Sequence, residues 1–188
     1  SGIGGFTILR EIMKRVPGIR LDYISDDSFA PYGTRSDREI TERSLYITDM
    51  LLDRGANLIV AACNSATAAS IAHLRKKHPD VPFVGVEPYI NVLNHENLYP
   101  GIERAAVITT VLTGTSAKFH SLKERLDPGN RILHFSLPGM ATTVERILEE
   151  GLTRELHCEL RAELEPLRGL NLSHLILGCT HYPLVAEL

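Results

Sequence analysis

The chain has 188 residues, with 20 Lys and Arg against 23 Asp and Glu for a formal net charge of −3, and it is 44% hydrophobic and 23% charged. These ordinary globular proportions exclude a disordered chain, and the slight acidity argues against nucleic acid as the main partner. No apolar run approaches the roughly 20 residues that span a bilayer, so no membrane segment is expected; the first five residues also lack the parts of a signal peptide.

Short apolar strands alternate with longer amphipathic helices, the pattern of an α/β chain with parallel sheet. Gly2 to Gly5 open a helix over about 6–16, stopped by Pro17-Gly18, and 21–25 reads as a strand. A loop over 26–36 carries Pro31-Tyr32-Gly33, and Ser36 caps a helix that runs to about residue 54 before Gly55. Residues 58–62 are apolar on both faces, as a central parallel strand should be. The spacing then predicts a helix over 64–77, ending in Arg75-Lys76-Lys77 where cations suit the helix dipole, and a strand over 83–86. Around 88–101 the pattern loosens into Asn, His and Pro, a candidate crossing between domains. Beyond it, strands over 105–109, 131–135 and 175–177 alternate with helices over 116–126, 142–150 and 153–167, the last two separated by Gly151.

Cys63, Cys158 and Cys179 cannot all pair, and no CxxC spacing points to zinc or a redox motif. An odd cysteine count fits a reducing cytoplasm. Cys63 follows the apolar strand and precedes the helix that begins Asn64-Ser65-Ala66-Thr67. Ligands of open α/β sheets collect at the carboxyl ends of strands, and a helix N-terminus can lower a thiol pKa to between about 3.5 and 7.5. Cys179 repeats the placement after Gly178, with Thr180 and His181 behind it. Two such thiols suit inversion of a stereocentre, which needs a base on one face of a carbon and an acid on the other. Asn64, Ser65, Thr180 and nearby amides could hold a substrate carboxylate. A competing reading has Cys63 attack as a nucleophile with His181 as its base, and leaves the second cysteine unexplained.

At these residues the sequence resembles the glutamate racemases of the cofactor-independent aspartate/glutamate racemase superfamily. The matching segments are Ser1-Gly2-Ile3-Gly4-Gly5, Ser25-Asp26 through Pro31-Tyr32-Gly33, Ala62-Cys63-Asn64-Ser65-Ala66, and Leu177-Gly178-Cys179-Thr180-His181-Tyr182-Pro183. The resemblance implies two flavodoxin-like parallel-sheet α/β domains facing a central cleft, each contributing one catalytic cysteine. It implies no pyridoxal phosphate and no metal, glutamate as substrate, a cytoplasmic setting, a homodimer as one assembly, and supply of D-glutamate for peptidoglycan. By the same resemblance Cys63, Cys179, His181 and Glu145 are the catalytic set, with Glu149 second to Glu145. Ser1, Pro31, Tyr32, Gly33, Asn64, Ser65, Thr110, Thr113 and Thr180 hold the substrate, and Ser116 belongs to the same hydroxyl run. The domains implied are 1–92, lacking a first strand and a return segment, then 93–183, with 184–188 starting that return. The family also places an assisting Asp directly before the position of Ser1.

Other features have plainer readings. Cys158 lies in a predicted helix without a polar cluster and reads as packing or surface. Asp26-Asp27 has no histidine company for a metal, so a solvated or assisting role for Asp26 is expected. Gly2, Gly4 and Gly5 lack the spacing of a phosphate loop and read as a tight turn against substrate. Alternatives to a glutamate racemase are a racemase of another amino acid and a binding or regulatory homologue with impaired catalysis.

Overall fold

The computed structural model describes residues 2–95, 97–99 and 101–188, so Ser1, expected at the substrate, lies outside the described residues. Helix α1 is Gly5–Arg15, and two 3-10 turns, Asp27–Phe29 and Tyr32–Thr34, precede α2, Asp37–Asp53. Helix α2 starts on a capping box: Ser36 Oγ accepts from the Glu39 amide and the Glu39 carboxylate accepts from the Ser36 amide. Strand β1, Ile59–Ala61, is followed by α3, Asn64–Lys77, and β2, Phe83–Gly85. After a 3-10 turn at Ile90–Asn94 come β3, Ala105–Thr109; α4, Val111–Thr115; α5, Ala117–Leu126; and β4, Ile132–Ser136. Helices α6, Met140–Glu150, and α7, Arg154–Leu164, lead to β5, His174–Leu177, and a last 3-10 turn at Tyr182–Val185.

The strands form two parallel sheets, one of β1 and β2, the other in the order β4-β3-β5. Strand β3 is central and buried along its whole length, because its side chains feed two cores in alternation. Val107 packs with Phe119, Leu122 and Ile132 on one face, and Ile108 packs with Val144, Leu156 and Tyr182 on the other. Both sheets deliver the C-terminal ends of their strands to a cysteine: β1 runs into Cys63 and β5 into Gly178-Cys179.

Helices α3 and α5 and strand β3 match their expected spans closely, and Gly151 separates α6 from α7 with φ +83°. The expected strand at 21–25 is absent. A strand needs a neighbour about 4.8 Å away. Instead, a cavity of about 120 Å³ separates Asp22, Tyr23 and Ile24 from Ile59, Val60 and Ala61, and no ladder bridges it. Helix α4 was unexpected: Val111, Thr113 and Gly114 disfavour helix, yet Thr110 Oγ1 caps its first turn by accepting from the Thr113 amide at 3.3 Å.

Candidate active site

Cys63 is the N-cap residue of α3, extended at φ −152°, and its Sγ accepts from the Ala66 amide at 3.4 Å. The amide gives that sulfur a donor at the positive end of a 14-residue helix. Asn64 and Ser65, the first residues of α3, are buried beside it. Ser65 Oγ lies 3.0 Å from Thr110 Oγ1 and 3.4 Å from Thr113 Oγ1, and those two threonine hydroxyls are 3.1 Å apart. Three buried hydroxyls therefore join the N-terminus of α3 to the start of α4, across the two sheets. Ser116 is committed elsewhere: its hydroxyl caps α5 and donates to Thr113 O at 2.7 Å.

The turn Pro31–Gly33 closes one side of this cluster. The Ala30–Pro31 peptide is cis. Tyr32 is buried in one cluster with Cys63, Ala66 and Leu112. Gly33 sits so close to Thr110 that a Cβ would lie 2.8 Å from the Thr110 side chain, so only glycine lets the turn reach this far.

Cys179 leaves β5 through Gly178, whose amide donates to Ile108 O at 2.8 Å and whose absent Cβ would lie 2.6 Å from that same oxygen. Burial is the main cause that pushes the Cys179 thiol up to about 12; the Cys63 sulfur adds to the rise, while the His181 and Tyr182 amides oppose it. His181, 3% exposed in its side chain, places Nδ1 3.6 Å from Cys179 Sγ and Nε2 2.8 Å from Glu145 Oε1 on α6. Thr180 Oγ1 is buried without a hydrogen-bond partner among the described residues.

The glycine turn packs against this pair rather than standing free. A Cβ on Gly2, where φ is +44°, would collide with Glu145 Oε1, and one on Gly4 would collide with His181 Nδ1. Thr7 Oγ1, just inside α1, lies 3.3 Å from Thr180 O. The structure accordingly gathers Cys63, Asn64, Ser65, Tyr32, Gly33, Thr110 and Thr113 in one group, and Cys179, Thr180, His181 and Glu145 in another. Pro31 begins the turn of the first group. Among the described residues the carboxylate bonded to His181 is Glu145, and Glu149, one turn further along α6, makes no hydrogen bond to it. Cys158 is exposed on α7. Among the described residues no three His, Cys, Asp or Glu side chains gather as a metal site.

Sequence reasoning missed what holds Tyr32. Its hydroxyl donates to Asp26 Oδ2 at 2.6 Å, and Asp26 also accepts from both Nε and Nη2 of Arg43 on α2. The Arg43 guanidinium holds the Asp26 carboxyl below the usual range, with the Tyr32 hydroxyl adding to that effect against the cost of burial. Asp26, expected to be solvated or assisting, is buried and fully engaged. The one available signal was an acidic residue six positions before a tyrosine in a matching segment; nothing pointed to Arg43.

Residues 7–188 match the family model of the Asp/Glu/Hydantoin racemases. Over its whole length the chain is 42% identical to a glutamate racemase of Pseudomonas paraeruginosa and 40% identical to one of Ectopseudomonas mendocina, covering 69% and 70% of those proteins. Among solved structures it resembles a glutamate racemase isoform of Bacillus anthracis, with TM-score 0.83 and 32% identity, covering all of this chain and 68% of that one. It also resembles Escherichia coli glutamate racemase in complex with L-glutamate and the activator UDP-MurNAc-Ala, with TM-score 0.84 and 31% identity, covering all of this chain and 69% of that one.

Proposed function

The chain belongs to the Asp/Glu/Hydantoin racemase family, and from that premise we propose that it interconverts L- and D-glutamate by acid/base proton transfer at Cα, with Cys63 and Cys179 on opposite faces. The observation that carries this reading is that two buried thiols stand at the ends of parallel strands in separate sheets. The similarity to a racemase solved with L-glutamate supports the substrate.

One thiol withdraws the α-proton as a thiolate while the other delivers a proton to the opposite face; the roles exchange in the reverse direction. Burial raises the Cys179 thiol pKa, so this group is ready as the acid. To act as base it must surrender that proton. With Nε2–H donated to Glu145, His181 turns the lone pair of Nδ1 toward the thiol and can accept it. The substrate ammonium adds a nearby positive charge, which favours a thiolate. Thr180 Oγ1, free of any partner among the described residues, is available to the substrate, as are Asn64, the hydroxyls of Ser65, Thr110 and Thr113, and the turn Pro31–Gly33.

In this reading no pyridoxal phosphate or metal takes part, and the D-glutamate made in the cytoplasm enters peptidoglycan. The same reading assigns residues 1–92 and 93–183 to two domains, with glutamate bound between them. Circular dichroism of an L-glutamate solution tests the reading: the signal should decay to zero with the parent protein. It should persist with Cys63→Ala or with Cys179→Ala. Decay at the parental rate with either variant refutes the two-thiol mechanism.

A further inference from the structure

The geometry points to Arg43, a residue of α2 outside every motif discussed above, as a positioning residue that sets the substrate-binding turn through Asp26 and Tyr32. The inference rests on the racemase reading of the site and goes beyond it. Arg43 approaches Asp26 with two nitrogens, the bidentate fork that fixes a carboxylate in orientation as well as in distance. Asp26 Oδ2 is shared: it accepts from Arg43 Nε at 2.8 Å and from the Tyr32 hydroxyl at 2.6 Å. The carboxylate is thereby locked from one side and holds the tyrosine from the other. Tyr32 is 3% exposed and belongs to the cluster that contains Cys63.

The loop between Asp26 and Arg43 is wound on the same clasp. The Phe29 ring is approached by two guanidinium groups, Arg35 at 4.4 Å and Arg43 at 5.7 Å from its centroid, and it meets Tyr32 edge-on at 5.7 Å. Arg35 Nε also donates to Phe29 O at 3.3 Å. The far end of the turn, Gly33, is pressed against Thr110. Two residues of the proposed substrate site therefore have one fixed support. Without Arg43, the buried Asp26 would carry a charge with a single hydroxyl donor, which is costly enough to move the tyrosine or protonate the acid. The side chain of Arg43 is 32% exposed and reaches no residue of the proposed catalytic pair, so it acts through Tyr32.

The test compares kcat and KM for glutamate in Arg43→Met, Arg43→Lys, Tyr32→Phe and the double variant Arg43→Met/Tyr32→Phe, each checked for folding by far-ultraviolet circular dichroism. A second readout is the rate at which iodoacetamide labels Cys63, followed by peptide mass spectrometry. Arg43→Met should raise KM about tenfold, with a smaller fall in kcat, as expected for a lost charge-assisted pair in the binding wall. Arg43→Lys should recover part of the loss, because it restores the charge without the fork. Once Tyr32→Phe has cut the link, Arg43→Met should add little. Cys63 labelling should quicken several-fold in Arg43→Met. In a parent that racemises glutamate, a KM within twofold for Arg43→Met, or effects that simply multiply in the double variant, overturns the proposal while the racemase reading stands. If the parent does not racemise glutamate, the functional reading fails and Cys63 labelling decides: an unchanged rate in Arg43→Met overturns the positioning role, and a several-fold rise supports it. Should Arg43→Met not fold, Arg43→Lys and Tyr32→Phe carry the same comparison.

Discussion

His181 joins Glu145 to Cys179: its Nε2 stands 2.8 Å from the carboxylate and its Nδ1 3.6 Å from the sulfur. A carboxylate that accepts from one ring nitrogen fixes which tautomer is present and therefore which nitrogen can take a proton from the thiol. Glu145→Gln keeps the shape of the side chain and removes its charge. It should lower kcat/KM for glutamate by about 10–100-fold, less than the 10²–10⁴ ascribed to a whole acid–base group. The loss should be equal in the two directions, because the equilibrium constant of a racemisation is one. Initial rates by circular dichroism with each enantiomer check this, and a parental rate would remove Glu145 from the chain of groups.

The three cysteines should differ in reactivity. Cys158 is exposed, whereas Cys179 is buried and burial pushes its thiol up to about 12. At pH 8 iodoacetamide should therefore modify Cys158 first and Cys179 last, as read by mass mapping over time. The same thiol ties stability to pH. Burial raises its folded pKa above the ordinary thiol value, so the folded state keeps a proton that the unfolded state releases. The stability contribution is complete below about pH 9 and declines as pH rises toward 12. Urea midpoints at pH 8 and pH 10.5 should fall further apart in the parent than in Cys179→Ala. Tyr182 is displaced upward by burial too, so the difference between the two proteins, not the raw slope, isolates the thiol.

Gly4 offers a steric test of the site. A methyl group there would collide with His181 Nδ1 and lie 2.8 Å from Thr180 Oγ1, so Gly4→Ala should displace the imidazole and depress kcat. Overpacking of this kind also costs about 1–3 kcal/mol of stability. At Gly129 a Cβ would meet nothing closer than 3.7 Å, and Gly129→Ala is the matched control with parental activity. Equal activity in both variants would mean that the glycine turn does not restrain His181.

Much of this architecture was legible because it depends on local pattern. The helix at Asn64–Lys77 has small helix-forming residues, a capping thiol and three cations in its last turn. The run Ala105–Thr109 is apolar on both faces and became the central strand. Residues 21–25, Leu-Asp-Tyr-Ile-Ser, read as a short strand by residue type, but strand status is a property of two chains side by side, and a cavity lies between this segment and β1. Helix α4 eluded the sequence because its β-branched residues and Gly114 oppose helix, while Thr110, a tertiary site residue, supplies the cap. The strand-end thiols and the polar residues after them were visible as motifs. Arg43 was not: a cation on an amphipathic helix reads as solvated, and its partner lies seventeen residues earlier.

The fate of the substrate hydrogen separates two thiols from one. In the proposed reaction the α-proton passes to one cysteine, and the proton that reaches the opposite face comes from the other. Thiol protons exchange with solvent between turnovers, so in D₂O the delivering group carries deuterium. D-glutamate formed from L-glutamate should then hold deuterium at Cα from the first turnovers, and L-glutamate recovered early should hold much less, because return of the abstracted proton to its own face competes with exchange. A single group that swings between faces, whether one thiol or His181, would carry the original hydrogen into product. Each thiol has its own partner: Cys63 Sγ accepts from an α3 amide, and Cys179 Sγ lies 3.6 Å from His181 Nδ1. Proton nuclear magnetic resonance of both enantiomers, separated at low conversion, measures the label. Unlabelled D-glutamate at that point would refute the two-base mechanism even if both cysteines proved essential.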